Sequence, residues 1–392
     1  MIVDVDRVAH GGVCVARAAD GRVVFVRHTL PGERVRVVVT EERSSYLRAD
    51  AVEVLRAAPA RVPRPCPWAG PGQCGGCDWQ HVELAHQRAL KATVVAEQLH
   101  RLAGIDREVS VEPVPGDTDG LRWRTRMRFA VDRSGRAGLR RHRSHDVEPI
   151  GDCLIAAPRI DVPAVVARDW PPGAEVTVDV SATGERAIAI GTPAELLTET
   201  AAGRSYAVPV GGFWQVHVGA ADLLVDSVLS VAAPVATDRA LDLYAGVGLF
   251  AAALAPRVAS VTAVESDRRA VAAARRNLPD ASVVHARVDR WLARREEPVD
   301  LVVLDPPRRG AGREVVERLM ALAPRRIVYV ACDPAALARD LATFAAGGYA
   351  LGRLRAFDLF PMTAHVECVA EIMATSTHPG VAERPSREER AR

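Results

Sequence analysis

The stretch Ala240-Leu-Asp-Leu-Tyr-Ala-Gly-Val-Gly248 decides which fold this chain is expected to adopt. Its apolar first half is typical of a buried strand, and Gly246 and Gly248 let the backbone turn sharply and approach a ligand before a helix begins. Further apolar runs alternate with helical stretches downstream, at residues 261–265, 301–305 and 327–331. This alternation predicts a doubly wound α/β domain with a parallel sheet from about residue 205 onward.

The glycine turn predicts an adenosine cofactor that has no pyrophosphate. Ala251 stands where the dinucleotide motif G-x-G-x-x-G has its third glycine, so S-adenosylmethionine fits better than NAD. Glu265 ends the next strand, where its carboxylate can accept hydrogen bonds from both ribose hydroxyls. Asp289 follows the third strand and can reach the adenine amino group. The alternative is that Asp289 caps the helix that contains Trp291.

Two more strand ends carry residues that are candidates for a catalytic site. Asp305 opens the loop Asp-Pro-Pro-Arg-Arg-Gly310, which two prolines make rigid, at the place where cofactor and substrate should meet. The alternative is an ordinary turn. Cys332 ends the following strand, at the sheet edge where open α/β folds bind ligands. Its alternative interpretation is an inert, buried thiol.

Methylation of uracil at C5 would need a cysteine and a separate general base. Thiolate attack at C6 makes C5 nucleophilic, C5 takes the methyl group, and removal of the C5 proton lets the thiol leave. Cys332 is the candidate nucleophile, and Glu367 in Ala364-His-Val-Glu-Cys-Val369 is the candidate base. We expect His365 to be a hydrogen-bonding neighbour rather than a catalytic group.

Seven cysteines without an export signal predict a reducing compartment, and therefore metal ligands or catalysis rather than disulfides. Three of them form C-x7-C-x2-C and a fourth lies further on, a set that suits zinc or an iron–sulfur cluster. From spacing alone, structural zinc is favoured. The set is Cys66, Cys74, Cys77 and Cys153. We expect Cys14 and Cys368 to be structural.

The N-terminal half has the composition of a nucleic-acid binder in two places. Residues 1–56 consist of short β segments that fit a small barrel for single-stranded nucleic acid, or any other small β module. Net charge is only +2, but residues 121–145 hold nine arginines against Asp132. Alternating arginines on one strand face can follow phosphates, or else mark a solvated edge strand. They are Arg122, Arg124, Arg126 and Arg128.

Taken together, these motifs resemble the RNA 5-methyluridine methyltransferase family of tRNA and 23S rRNA enzymes, over the chain to about residue 374. The resemblance implies that Cys332 is the nucleophile and Glu367 the base. It implies that the N-terminal barrel is a TRAM domain, an OB-like RNA-binding module. In the similar rRNA enzymes the four matching cysteines hold a [4Fe–4S] cluster, so a cluster is expected here in place of zinc. The implied S-adenosylmethionine contacts are Gln215, Tyr244, Glu265, Asp305 and, more loosely, Asp289.

We therefore expect four parts. They are a barrel at 1–56, a central iron–sulfur and RNA-binding domain at 57–81 and 120–204, a methyltransferase domain at 82–119 and 205–375, and a disordered tail at 376–392. The sequence has no signal peptide and no apolar run long enough to span a membrane, so a cytoplasmic monomer that acts on RNA is expected.

The predicted activity is methylation of a flipped-out uridine in structured RNA. The barrel and cysteine set favour 23S rRNA, and uridine 54 of tRNA is the alternative. Two rivals remain. An amino-group methyltransferase would also use Asp-Pro-Pro but would need neither Cys332 nor Glu367. A non-catalytic RNA-binding or chaperone protein would not need to keep these residues together with Asp305 and Glu265.

Overall fold

The N-terminal part of the chain is a closed barrel of five strands, which confirms the predicted OB-like module. The computed structural model describes residues 1–375, so the expected disordered tail lies outside the described residues. The barrel closes because the fourth strand pairs with the first, which leaves no free edge. The strands are β1 (Ile2–Val8), β2 (Cys14–Arg17), β3 (Val23–Arg27), β4 (Arg34–Glu42) and β5 (Tyr46–Arg56). Cys14 lies in the apolar core of this barrel.

A cysteine-bearing irregular segment connects the barrel to helix α1 (Leu84–Ala103) and strand β6 (Val111–Pro113). The helix ends at Gly104, which takes the left-handed conformation with φ 65° and donates to the last carbonyls of the helix. Such a position favours glycine because it has no Cβ.

The central part is a five-stranded antiparallel sheet followed by a separate hairpin. The sheet contains β7 (Arg126–Val131), β8 (Ala137–Arg140), β9 (Val147–Glu148), β10 (Glu175–Val180) and β11 (Arg186–Ile190), with the short helix α2 (Val162–Val166) before β10. The hairpin pairs β12 (Leu196–Ala201) with β13 (Arg204–Pro209). Strand β7 begins only at Arg126, so the arginines before it are not on the predicted continuous strand.

The C-terminal part confirms the predicted doubly wound fold. After helix α3 (Ala220–Ala232), strands and helices alternate as β14 (Arg239–Leu243), α4 (Leu249–Leu254), β15 (Ser260–Glu265), α5 (Arg268–Asn277), β16 (Ser282–His285), α6 (Val288–Leu292), β17 (Leu301–Leu304), α7 (Arg313–Ala321), β18 (Arg326–Ala331) and α8 (Pro334–Ala346). Strands β19 (Tyr349–Asp358) and β20 (Glu367–Ala374) complete it.

The eight-stranded sheet has the order β16-β15-β14-β17-β18-β20-β19-β6. Strands β14 to β18 are parallel, but β20 runs antiparallel to both of its neighbours, so the sheet is mixed rather than wholly parallel. The direction in which successive strands are added reverses at β14, because β15 lies on one side of it and β17 on the other. This reversal places a crevice at the carboxyl ends of these strands. Helix α1 packs against α8, and β6 extends the β19 edge, so both belong with this sheet. Within residues 1–375, no helix is long and apolar enough to cross a membrane.

Candidate active site

A pocket of about 1060 Å³ opens at the carboxyl ends of β14, β15, β17 and β18. Parallel strands end at the same edge of a sheet, so residues from distant parts of the sequence meet there. The predicted site residues that line this pocket are Gln215, Tyr244, Gly246, Glu265, Asp289, Asp305, Cys332 and Glu367. Gly248 is the one predicted cofactor residue that does not line it.

Gly248 shapes the turn from behind the pocket. Its φ is 92°, and a Cβ at this position would lie 2.6 Å from Cδ1 of Leu278. Gly246 has φ 54° and open space around it, and its N–H donates to Glu265 Oε2 at 3.0 Å. The two glycines therefore serve different purposes, because Gly248 makes room for packing and Gly246 presents its backbone to the pocket.

Glu265 is held rigidly at the end of β15. Besides the bond from Gly246, its Oε1 accepts the backbone N–H groups of Ser266 at 2.5 Å and Asp267 at 2.7 Å. A carboxylate fixed by three backbone donors has little freedom to turn away. Glu265 therefore presents oriented acceptor oxygens to the pocket.

Asp289 does not cap a helix, so the capping interpretation is wrong. Helix α6 begins at Val288 with Arg287 as its N-cap, which places Asp289 inside the first turn. The Arg287 guanidinium binds the Asp289 carboxylate at 2.5 Å and lowers its pKa to about 2. Asp289 thus stays ionised at the rim of the pocket. Nearby Tyr244 has a strained φ of 61°, and burial raises its pKa to about 12.

Cys332 and Glu367 come together through the pairing of β18 with β20. In this antiparallel register Ala331 lies opposite Cys368, so the next position places Cys332 opposite Glu367. Glu367 is buried, Cys332 is half-buried, and both line the pocket. Cys368 points the other way into the apolar core, which explains how neighbouring residues on β20 differ in exposure to the pocket.

The acids around the thiol are desolvated and crowded. Burial, followed by the charges of Glu367 and Asp305, raises the pKa of the Cys332 thiol to about 12. Burial raises the pKa of Asp305 to about 7. Burial and the Asp305 charge raise the pKa of Glu367 well above its ordinary value. These groups cannot all be ionised at neutral pH, because like charges in a dry site repel one another.

Arg308 is a functional candidate that the sequence prediction missed. It lines the pocket, and its positive charge opposes the rise in pKa of both Cys332 and Glu367. Its Nη2 lies 3.2 Å from Nε2 of His365, so His365 is the hydrogen-bonding neighbour that was expected. Burial lowers the pKa of His365 to about 4, which keeps the ring neutral and able to accept from Arg308. The sequence feature that could have identified Arg308 is its place in the motif Asp-Pro-Pro-Arg, which begins at Asp305.

Asp340 holds the loop that carries Asp305 and Arg308. Asp340 is buried on α8, and its Oδ2 accepts the Tyr329 hydroxyl at 2.7 Å and the Ala311 N–H at 2.8 Å. The Gly312 N–H donates to Oδ1 at 3.2 Å. One carboxylate therefore ties together α8, strand β18 and the loop after β17.

The four cysteines predicted to bind metal line a second cavity, of about 270 Å³. The Cys74 sulfur accepts the N–H of Gly76 and the Cys77 sulfur accepts the side-chain N–H of Gln80, both at 3.4 Å. Such donors stabilise thiolates. Across residues 1–375, no three His, Cys, Asp or Glu side chains form a group that could hold a metal ion.

The predicted arginine face is only partly present. Arg126 is buried in ion pairs with Asp179 at 3.0 Å and Glu199 at 3.7 Å, so its prediction as a surface RNA contact is wrong. Arg122, Arg124 and Arg128 are at least partly exposed, and Arg124 lines the main pocket. Arg122 is paired with Asp152 and Arg128 with Glu175.

Comparison with protein families finds three matches along the chain. Residues 1–52 match the TRAM domain, residues 215–329 the methyltransferase small domain, and residues 296–374 the tRNA (uracil-5-)-methyltransferase family. These matches coincide with the barrel and with the doubly wound sheet.

Individual proteins match over nearly the whole length. An uncharacterized RNA methyltransferase of Streptomyces avermitilis is 49% identical, over 94% of this chain and 96% of its own. The 23S rRNA (uracil(1939)-C(5))-methyltransferase RlmD of Pseudomonas putida is 33% identical, over 94% of this chain and 92% of its own. The structure of the tRNA (uracil-54, C5)-methyltransferase of Pyrococcus abyssi, in complex with S-adenosyl-L-homocysteine, superimposes with a TM-score of 0.72 at 24% identity, covering 95% of this chain and 100% of its own. That structural likeness supports the fold.

Proposed function

Because this chain belongs to the RNA uracil-5-methyltransferase family, we propose that it methylates C5 of a uridine in structured RNA with S-adenosylmethionine as methyl donor. The observation that carries the proposal is the placement of Cys332 opposite Glu367 where β18 meets β20. Both line the pocket that also contains Glu265 and Asp305. A thiol and a carboxyl group on one wall are the two groups that the reaction requires.

The residues of the pocket suit the methyl donor. Glu265 offers fixed carboxylate oxygens for ribose hydroxyls, and Asp305, Tyr244 and Gln215 lie on the same lining. When bound, S-adenosylmethionine supplies an electrophilic methyl group on a sulfonium. The chain's own contribution is to orient this group and to exclude water from a site whose acids are already desolvated.

Cys332 forms the covalent bond to the RNA. Cys332 reacts as the thiolate, and its Sγ bonds to C6 of uracil, which moves the electron pair of the C5–C6 double bond onto C5 and O4 as an enolate; the same thiolate is released when the C6–Sγ bond breaks at the end. Arg308 is placed to stabilise the thiolate that forms, since its charge acts on Cys332. C5 would then take the methyl group from the bound donor as the S–CH3 bond breaks, and the electron pair of that bond would stay on the donor's sulfur as a neutral thioether.

Glu367 completes the reaction as the base. It removes the proton from C5, the C5–C6 double bond re-forms, and the bond from C6 to Cys332 breaks. A carboxyl group whose pKa is raised by burial is a stronger base than an exposed one once it is ionised. The elevated pKa of Glu367 therefore suits the removal of the proton from C5.

Substitution of Cys332 tests the chemistry. Cys332→Ala should abolish transfer of a tritiated methyl group to RNA and also the covalent complex with 5-fluorouridine RNA. Cys368→Ala is a matched control, because that thiol packs in the core on the other side of β20. Full activity of the Cys332→Ala protein would refute the mechanism and favour an amino-group methyltransferase. Absence of methyl transfer by the wild-type protein would favour a non-catalytic RNA-binding protein.

The cysteine cavity favours a [4Fe–4S] cluster over zinc. A single tetrahedral zinc with Zn–S bonds of about 2.3 Å would hold its sulfurs only about 3.8 Å apart. The cysteines instead line a cavity of about 270 Å³, and the sulfurs of Cys74 and Cys77 accept N–H donors as cluster ligands do. The absorption spectrum of anaerobically purified protein tests this. A broad visible band is expected, and stoichiometric zinc without colour would contradict it.

The favoured target is a uridine of 23S rRNA. The TRAM match and the similarity to an rRNA enzyme support this choice over tRNA. Mass-spectrometric mapping of 5-methyluridine in rRNA and tRNA, with and without the gene, tests it. Loss of the modification from tRNA alone would move the target to tRNA.

A further inference from the structure

One wall of the active-site pocket is the loop between β19 and β20, residues 359–366. Its side chains that line the pocket are those of Phe360, Thr363 and His365. Glu367 follows the loop directly, as the first residue of β20. The loop turns sharply at Met362, whose φ of 66° is left-handed. A residue other than glycine keeps such a conformation only where its surroundings enforce it, so the position of Glu367 depends on what holds this loop.

The cysteine-bearing segment and helix α1 hold the backbone of the loop. The carbonyl oxygen of Met362 accepts the backbone N–H groups of Asp78 and Trp79, both at 3.0 Å. The Asp78 carboxylate accepts the N–H of Ala364 at 3.2 Å. On α1, the side-chain oxygen of Gln87 accepts the N–H of Met362 at 2.8 Å. The loop before the candidate base is therefore fixed by segments from the N-terminal part of the chain.

The barrel itself also contacts this loop, through the turn between β1 and β2. Gly12 in that turn has φ 80°, and its carbonyl oxygen accepts the N–H of the buried Trp79 indole at 3.1 Å. A Cβ at Gly12 would lie only 2.6 Å from Cβ of Ala364 and 3.2 Å from Cβ of Asp78. Ala364 packs in turn against the apolar core of the barrel. Glycine is what allows the barrel backbone to lie directly against the loop.

The same turn contacts the segment that carries the nucleophile. His10 Nε2 lies 3.1 Å from Oδ2 of Asp333, and Asp333 directly follows Cys332. A carboxylate can only accept hydrogen bonds, so His10 is the donor. The other oxygen of Asp333 accepts the N–H of Ala336 at 2.7 Å and caps helix α8. One turn of the barrel thus adjoins both groups of the proposed chemistry, Cys332 after β18 and Glu367 on β20.

We propose that Gly12 and His10 are positioning residues for methyl transfer. Gly12 fixes the loop that precedes Glu367, and His10 fixes the residue that follows Cys332. The inference rests on the proposed function, because it takes Cys332 and Glu367 as the reacting groups. It makes the barrel a structural part of the active site, so that a change in the barrel alters the chemical step and not only the affinity for RNA.

Gly12→Ala tests the contact with the loop. Carbon atoms in contact lie about 3.5–4.0 Å apart, so the new Cβ would require Ala364 to move by about 1 Å. A displacement of this size in the catalytic wall should lower the single-turnover rate about ten- to hundredfold at saturating RNA and S-adenosylmethionine. The Kd for RNA should stay at its wild-type value.

Gly21→Ala is the matched control in the same barrel. Gly21 lies in the turn between β2 and β3 with φ 87°, and no atom of residues 1–375 lies within 4 Å of the Cβ that alanine would add. The substitution imposes the same kind of backbone strain without touching the loop. Its single-turnover rate should equal that of the wild type.

His10→Ala and His10→Gln test the second contact at an exposed side chain, where substitution leaves the barrel core intact. His10→Ala removes the donor to Asp333 and should lower the saturating single-turnover rate about three- to tenfold. His10→Gln keeps an N–H donor and should restore most of that rate. If Gly12→Ala does not fold, this pair decides the inference, and a wild-type rate in His10→Ala would overturn it.

The outcomes separate this inference from the proposed function. A wild-type saturating rate in a folded Gly12→Ala protein would overturn the positioning role, as would equal losses in Gly12→Ala and Gly21→Ala. A loss confined to KM or Kd for RNA would also overturn it, because the turn would then bind RNA instead of positioning the reacting groups.

If the wild type forms no 5-methyluridine, the proposed function fails, and alkylation of Cys332 by iodoacetamide without RNA decides the inference alone. The charge of Glu367 acts on this thiol, so a displaced loop should shift the pH profile of alkylation. A profile that shifts in Gly12→Ala and not in Gly21→Ala would sustain the positioning role. Coincident profiles in the two variants would overturn it.

Discussion

Asn in place of Asp340 should slow methyl transfer although Asp340 does not line the pocket. The buried Asp340 carboxylate accepts the Tyr329 hydroxyl and the N–H groups of Ala311 and Gly312, all within 2.7–3.2 Å. An amide keeps one oxygen but turns an NH2 group toward donors that need an acceptor. At least one buried donor is then unsatisfied, which costs about 1–3 kcal/mol. The unsatisfied donor destabilises the native conformation of the loop that carries Asp305 and Arg308.

The expected magnitude follows from that cost. If the substitution destabilises the native conformation of the loop by about 2 kcal/mol, the single-turnover rate should fall about thirtyfold, since each 1.4 kcal/mol is about a factor of ten. Alkylation of Cys332 by iodoacetamide should also require a higher pH in Asp340→Asn, because Arg308 no longer stabilises the thiolate. A purely structural effect far from the thiol would lower stability without moving this alkylation profile.

A double-mutant cycle with Tyr329→Phe tests whether Asp340 acts through this network. Tyr329→Phe removes one donor to Asp340 and should cost about 1 kcal/mol of unfolding free energy. The two changes together should be less costly than their sum, because both disturb one hydrogen-bond network. A wild-type single-turnover rate for Asp340→Asn would refute the positioning role, as would strict additivity of the two substitutions.

Three further outcomes are expected. The single-turnover rate should rise with pH through the neutral range, because the raised pKa of Glu367 means that the basic, ionised form appears only as pH increases; a plateau already at about pH 5, the range of an ordinary exposed glutamate, would contradict this. Gly248→Ala should destabilise the fold by more than Gly246→Ala. Both glycines have positive φ, so backbone strain costs about 1 kcal/mol in either variant, but only at Gly248 would the new Cβ lie 2.6 Å from another atom. Equal unfolding midpoints of the two variants would contradict this. Cys153→Ser should remove the visible absorption of the cluster, and an unchanged spectrum would exclude Cys153 as a ligand.

The sequence was sufficient to predict residues at strand ends, because a parallel sheet has simple geometry. Glu265, Asp305 and Cys332 each terminate an apolar run, and all parallel strands end at one edge. Strand pairing adds Glu367, whose position depends on an antiparallel register that the local pattern does not specify. The order of the motifs along the chain, and not hydrophobic periodicity, predicts the role of Glu367.

The burial of Arg126 could not be read from the sequence. Alternation places Arg126 and Arg128 on one face of β7, but only Arg126 is covered by acids, from β10 and β12. Those acids are 53 and 73 residues away in the chain, so no local pattern reveals the pairing. Charge composition identifies a basic segment, and tertiary structure decides which of its charges remain available for RNA.

The charge of the pocket lining bears on which part of the RNA can enter beside the thiol. Glu265, Asp305 and Glu367 line the pocket together with Arg308, whose charge opposes the rise in pKa of Cys332 and Glu367. Burial raises the pKa of Asp305 and Glu367, so an added negative charge beside them would meet a desolvated wall that already disfavours charged acids. Uracil is neutral and flat and meets no such penalty, which suits entry of a flipped-out base.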